Sequence, residues 1–335
     1  MTEAFQNICV LGGGSWGTAL ALAAHRAERQ TVLWARDENT ARTIATTHQN
    51  PKYLPGITWN EDLLATASLS KALADAQAVL LVTPAQSTRQ MLKAMKGLVR
   101  EGTPLLLCAK GIEAETGLLL SDVVKQELPE VIAGALSGPS FAHDVASGLP
   151  TAVTIATPDI ERTDALSQAL ASTSLRPYAS DDLIGVQIGG ALKNVLAIAC
   201  GAAVGFGLGS SAQAALTTRG FAELTRLGVA LGAKRETLTG LSGLGDLILT
   251  CSSTQSRNFS FGVELGKGKS ATDLVAPGQK LAEGAYSAKI AVKLAAQHQI
   301  EMPIAQSISK VIAGELSVGR ALSDLMTRPL KREAL

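Results

Sequence analysis

The first half of the chain alternates short, wholly apolar runs with stretches in which apolar and polar residues recur at helical spacing. Asn7-Ile8-Cys9-Val10-Leu11 leads into Gly12-Gly13-Gly14-Ser15-Trp16-Gly17, and an Ala/Leu-rich segment over 18–24 follows at once. This pattern predicts strand, glycine turn and helix. Residues 31–35, 78–83 (closed by Pro84), 104–109, 133–136 and 151–156 read as further strands, and 174–179 as one at the far edge of the sheet. Residues 87–99 mix polar and apolar positions as a helix does. Strands apolar on both faces belong to a parallel sheet covered on both sides. Strand–helix alternation then implies a doubly wound α/β sheet.

From about Asp182 the alternation stops. Long Ala/Leu/Gly-rich segments follow, with breaks expected at 207–209, 243–245, 252–256 and 266–268. The expectation is an α/β chain with an N-terminal doubly wound, Rossmann-like domain over 1–185 and an all-helical domain over 186–335. No Pro- or Ser-rich linker separates them. Residues 194–218 carry no charge, but Gly201, Gly205, Gly207 and Gly209 and then Ser210, Ser211 and Gln213 interrupt them. They read as a buried helix followed by a loop rather than a membrane span.

Composition narrows the class. The 335 residues are 46% hydrophobic and 18% charged with a net charge of +1, enough for a large core and without the basic surplus of a nucleic-acid partner. Cys9, Cys108, Cys200 and Cys251 form no C-x-x-C pair and sit near no His at zinc spacing. They read as buried thiols of a reducing, cytoplasmic compartment, and no residue cluster calls for a metal. The N-terminus reads as a core strand rather than a signal peptide.

Gly12, Gly14 and Gly17 satisfy G-x-G-x-x-G between a strand and a helix, the dinucleotide fingerprint. Gly12 makes the tight turn, Gly14 lets a pyrophosphate approach the backbone, and Gly17 lets the helix pack on the strand. The anion then rests on N–H groups at the positive end of the helix. Arg36-Asp37 follows the second strand, where an acid selects the ribose 2′-OH of NAD and an arginine the 2′-phosphate of NADP. The pair leans towards NADP and leaves NAD open.

Other polar residues stand in apolar surroundings. Lys110 ends one strand. Ser140 follows another in Ser137-Gly138-Pro139-Ser140-Phe141-Ala142, as a helix cap or a ligand contact. Lys193, in the helical Gly189-Gly190-Ala191-Leu192-Lys193-Asn194, must snorkel to water or face a functional cleft, and desolvation would lower its pKa. Asp246 lies in Gly243-Leu244-Gly245-Asp246-Leu247, with Thr250 one turn on. Ser256-Arg257-Asn258 offers a guanidinium near a helix start, suited to phosphate, although Arg257 alone could be a surface charge. His25, His48, His143 and His298 are read as structural.

Taken together, the segments at 12–21, 108–117, 137–142, 189–198, 243–251 and 255–258 resemble the bacterial-type NAD(P)-dependent glycerol-3-phosphate dehydrogenases along nearly the whole chain. The resemblance implies reversible reduction of dihydroxyacetone phosphate to sn-glycerol 3-phosphate with NADP or NAD, supplying phospholipid synthesis. It implies Lys193 as general acid/base and Lys110, Gly138, Ser140, Asp246, Ser256, Arg257 and Asn258 around the substrate. Beside Gly12, Gly14 and Gly17, it places Ser15, Trp16, Arg36, Tyr53, Lys110, Ala142, Arg257, Leu281 and Glu283 at the cofactor. The partner expected is a small phosphorylated molecule, and a homodimer is left open. A β-hydroxyacid dehydrogenase of the same fold and a non-enzymatic dinucleotide sensor are the alternatives, the first opposed by Asp246 and the Ser256-Arg257-Asn258 segment.

Overall fold

The computed structural model describes residues 5–60, 62–276, 282–330 and 332. The chain forms two compact units, one of residues 1–109 and 118–186, the other of 110–117 and 187–335. The expected division near 185 placed 110–117 with the first unit; this segment packs with the second, and takes Lys110 with it.

Among the described residues, the first unit is built on ten strands: β1 (Asn7–Leu11), β2 (Gln30–Trp34), β3 (Gln49–Asn50), β4 (Leu54–Thr58), β5 (Leu64–Thr66), β6 (Ala78–Leu81), β7 (Pro104–Leu107), β8 (Ile132–Ser137), β9 (Thr151–Ala156) and β10 (Leu175–Ser180). Eight form one sheet in the order β10-β9-β8-β7-β6-β1-β2-β5, and β3 and β4 form a separate antiparallel hairpin. Successive residues of a strand face opposite sides. Accordingly Val10, Leu80 and Leu106 join one buried cluster, while Leu11, Leu81 and Leu107 join the other. Both faces are covered, which is why these strands are apolar throughout.

The sheet is parallel except between β8 and β9. Their connection carries only the five-residue helix Ala142–Ala146, and a parallel crossover normally uses a helix that spans the sheet. Neither this antiparallel step nor the short strands β3, β4 and β5 was expected from the sequence pattern.

β1 lies between β2 and β6, so the strand order reverses there. Ligands of open α/β sheets bind beyond the carboxyl ends of strands at such a point. Gly12 to Gly14 occupy it, between β1 and the helix Ser15–Arg26. Gly12 has φ +138°, and a Cβ there would stand 3.1 Å from the Val82 carbonyl. A Cβ on Gly17 would come within 1.7 Å of the Gly12 carbonyl oxygen, so the helix rests directly on the turn.

The second unit is helical. Its long helix, Leu183–Gly205, is apolar enough to cross a membrane, but 89% of its apolar window is buried inside the protein. A second helix, Ser210–Ala230, follows the turn at 206–209 where a loop was expected. Its small polar residues begin a helix capped by Gly209 instead of prolonging the break. The break expected at 243–245 is a π-turn, Leu241–Gly245, that continues into the helix Asp246–Cys251. Gly201 and Gly262 let Leu183–Gly205 and the helix Arg257–Gly266 meet backbone to backbone. A Cβ on Gly201 would lie 2.0 Å from the Phe259 carbonyl oxygen, and one on Gly262 would lie 2.2 Å from that of Ile198.

Gly14 and Gly17, the last two glycines of the fingerprint, should respond differently to the same methyl group. Gly17→Ala forces the helix off the turn and should cost about 1–3 kcal/mol. Gly14 has open space around its Cβ position, so Gly14→Ala should change stability by about 0.5 kcal/mol or less. Thermal or urea unfolding of the two variants checks this, and equal losses would contradict the packing described.

Candidate active site

In the first unit the helix Ser15–Arg26 has Gly14 as N-cap, no side-chain cap and no acid in its first turn. Helix geometry leaves its first N–H groups without intrahelical partners. Gly14 meets nothing within 4 Å on the side where a Cβ would stand. Open space beside uncapped N–H groups is what a pyrophosphate requires, so the residues fit a dinucleotide. The Ser15 hydroxyl donates to the Tyr53 carbonyl. Trp16 packs on the core of the sheet, and its buried Nε1 has no partner among the described residues.

Of the pair after β2, Asp37 turns back to cap the helix Glu38–Thr47. Its carboxylate accepts from the Thr40 N–H at 2.8 Å and the Thr40 hydroxyl at 2.6 Å, which holds its pKa below the ordinary value. Arg36 stays exposed. Tyr53 is exposed in the β3–β4 hairpin, with the Lys52 ammonium 5.1 Å from its ring centre.

At the end of β8, Gly138 has φ +150°, and a Cβ there would stand 2.9 Å from Val153 Cα. Ser140 does not cap the helix that follows. Phe141 takes that position, and the Ser140 hydroxyl donates to the Gly138 carbonyl at 3.0 Å. A hydroxyl one residue before the N-cap lies outside the reach of the first-turn N–H groups. Ala142 is the first residue of that helix.

The second unit gathers the charged residues. Lys110 Nζ lies 2.7 Å from one oxygen of Asp246, and Lys193 Nζ donates to the other. Lys193 also donates to the Thr250 hydroxyl at 2.7 Å, and that hydroxyl donates to the Asp246 carbonyl at 2.6 Å. Thr250 was noted in the sequence only as one turn beyond Asp246; that i, i+4 spacing puts both on one face of their helix. Asp246 is 1% exposed and Lys193 5%. Lys193 therefore does not snorkel. Burial, with help from the nearby Lys110 charge, lowers its pKa to about 7 despite the opposing attraction of Asp246. An amine in that range exchanges protons near neutrality, and a second ammonium sits on the same carboxylate.

A chain of amides fixes this group. Asn194 donates to the Lys110 carbonyl at 2.9 Å, Asn258 donates to the Asn194 side-chain oxygen at 2.9 Å, and the Gly284 N–H donates to Asn258 at 2.9 Å. Asn194 follows Lys193, and Asn258 follows Arg257. The chain thus ties the 110–117 segment to three helices. The Ser256 hydroxyl caps the helix Arg257–Gly266 by accepting from the Phe259 N–H, and Arg257 is exposed at its first position. Glu283 opens the helix Glu283–Gln297. Leu281 lies outside the described residues.

The chain is similar to known proteins along nearly its whole length. The profile of the NAD-dependent glycerol-3-phosphate dehydrogenase N-terminus matches residues 7–163, and that of the C-terminus matches 182–323. A glycerol-3-phosphate dehydrogenase [NAD(P)+] of Parvibaculum lavamentivorans is 51% identical over 99% of this chain and 100% of its own. Another, from Mesorhizobium japonicum, is 53% identical over 98% and 94%. The crystal structure of glycerol-3-phosphate dehydrogenase from Coxiella burnetii superposes with a TM-score of 0.91 at 38% identity, covering 96% of this chain and 99% of that one. With both halves matched in order and the likeness running nearly end to end, the chain belongs to the NAD-dependent glycerol-3-phosphate dehydrogenase family.

Proposed function

We propose that the chain reduces dihydroxyacetone phosphate to sn-glycerol 3-phosphate, reversibly, with Lys193 as the proton donor. The observation that carries this reading is the buried Lys110–Asp246–Lys193 group, with Lys193 held near neutral pKa. The nicotinamide dinucleotide, when bound, supplies the hydride to carbon 2. Lys193 Nζ supplies the proton to the forming alkoxide. With both lysines protonated the group carries one positive charge in excess, which stabilises negative charge on that oxygen. Once the proton has left, Lys110 and Asp246 remain a neutral pair, and the amine stays anchored by Asp246 and Thr250. In the oxidative direction the neutral amine is the base.

Arg257, exposed at a helix start and next to Asn258, is our choice for the substrate phosphate, where its guanidinium and first-turn N–H groups act together. Anchoring there orients carbon 2. Gly138, Ser140 and Ser256 are proposed as lining residues. Gly12, Gly14, Ser15, Trp16, Gly17, Arg36, Tyr53, Ala142 and Glu283 are proposed for the dinucleotide, with Lys110 and Arg257 near it as well. The exposed Arg36, beside an Asp37 engaged in capping the next helix, favours acceptance of a 2′-phosphate, and hence NADP beside NAD. The domain roles follow: the first unit holds the dinucleotide, the second the substrate and the acid. Four buried cysteines, none of them in a disulfide, support a cytoplasmic setting.

The governing experiment adds dihydroxyacetone phosphate and follows NADH and NADPH oxidation in parallel; no turnover with either would defeat the proposal. Lys193→Ala should lower kcat by about 10²–10⁴-fold while NADPH still binds. The pH profile has a definite sign. Because Lys193 must be protonated to reduce the ketone, the reductive rate should be level below about pH 7 and fall above it, and the oxidative rate should rise through the same region. Arg257→Ala should raise KM for the phosphorylated substrate about 10- to 100-fold, on the scale of one lost charged hydrogen bond, and leave a non-phosphorylated ketone nearly unaffected. Arg36→Ala should weaken NADPH more than NADH in equilibrium titrations, and equal weakening would remove it as the 2′-phosphate contact.

A further inference from the structure

The β3–β4 hairpin lies against the glycine turn, and Asn50 makes two of the ties. Its side chain is 1% exposed. Nδ2 donates both to the Gly13 carbonyl, at 3.0 Å, and to the Thr18 hydroxyl, at 2.8 Å. Tyr53, three residues on, accepts the Ser15 hydroxyl through its carbonyl. Two points of one hairpin therefore hold the turn and the first helical residues.

The carbonyl that Asn50 holds belongs to the same planar peptide as the Gly14 N–H. In a trans peptide the two groups point in opposite directions. Drawing the Gly13 oxygen towards the hairpin therefore turns the Gly14 N–H to the other side. Three consecutive glycines offer little intrinsic resistance to rotation of that peptide. Gly13 is hemmed in on one side, since a Cβ there would lie 2.5 Å from Ala35 Cβ, but nothing lies within 4 Å of the place a Cβ on Gly14 would take. The turn thus depends on an outside hydrogen bond to keep its donors facing the open side.

We infer that Asn50 is a positioning residue for dinucleotide binding, acting by fixing the peptide between Gly13 and Gly14 so that its N–H meets the pyrophosphate. The inference rests on the dinucleotide reading of the turn. Because pyrophosphate is common to both cofactors, Asn50 affects NADH and NADPH alike, unlike Arg36.

Equilibrium binding of NADH and NADPH, read by their fluorescence without substrate, tests it on the full chain. Asn50→Ala should raise both Kd values about tenfold, with kcat at saturating cofactor and KM for dihydroxyacetone phosphate within about twofold of wild type. Thr18→Val, which keeps the Gly13 bond and removes only the second acceptor, should leave Kd within about twofold. Asn50→Asp gives a reading that a purely structural role would not give. Its carboxylate repels the Gly13 carbonyl, and burial at this position raises its pKa; its protonated form can donate, so dinucleotide affinity should recover as pH falls from 8 to 5 while wild type changes less. If Asn50→Ala does not fold, this pH dependence decides alone. Wild type binding neither dinucleotide would overturn the reading of the turn and the inference with it. Wild type binding well, with Asn50→Ala binding equally, or with Thr18→Val as weak as Asn50→Ala, or with Asn50→Asp flat in pH, would overturn the inference only.

Discussion

A single buried carboxylate holding two lysines organises the charged group of the second unit. Asp246, at 1% exposure, has a lysine on each of its carboxylate oxygens, and Lys193 could not be brought so far from water without it. The stoichiometry is deliberately uneven. Burial, with help from the second cation, destabilises the protonated state of Lys193 and brings its pKa down to about 7. A Lys–Asp pair alone would be closer to neutral, and Lys193 would hold its proton more firmly.

The backbone has to solve a placement problem to create this group, since its members come from distant parts of the chain. Lys110 leaves the end of β7 in a short excursion that packs with the helical unit. Lys193 comes from the middle of the long helix. Asp246 follows a π-turn, a local widening of the helix often found at functional sites. The amide chain from Lys110 through Asn194 and Asn258 to Gly284 then fixes the excursion against three helices. Ionic attraction supplies much of the energy at short range, while the directional amide bonds set the geometry.

Sequence patterning made the sheet legible because each strand is buried on both faces and so appears as an unbroken apolar run. It also isolated Lys110, Lys193 and Asp246, because a charge in such surroundings has few structural uses. What it could not carry was information residing in long-range pairing. The antiparallel β8–β9 step depends on how a connection closes in space, and the hairpin of β3 and β4 is too short to develop a period. Ser140 has the composition of a cap but stands one residue too early, and Ser210 begins a helix where small polar residues suggested a loop. Asn50 gave no signal at all: an asparagine in a polar stretch resembles any turn residue until its two donors are seen on Gly13 and Thr18.

The glycine contacts between the helices Leu183–Gly205 and Arg257–Gly266 bear on how such a protein can change over time. At Gly201 and Gly262 even the smallest side chain would strike the opposing main chain. These helices carry Lys193 and Arg257, so their lateral offset sets the distance between proton donor and proposed phosphate anchor. Inactivating substitutions are therefore expected at positions that touch neither substrate nor cofactor. In a lineage adapting to a new substrate, Arg257 and its neighbours are open to exchange, whereas the glycine seam beneath them constrains every route that change can take.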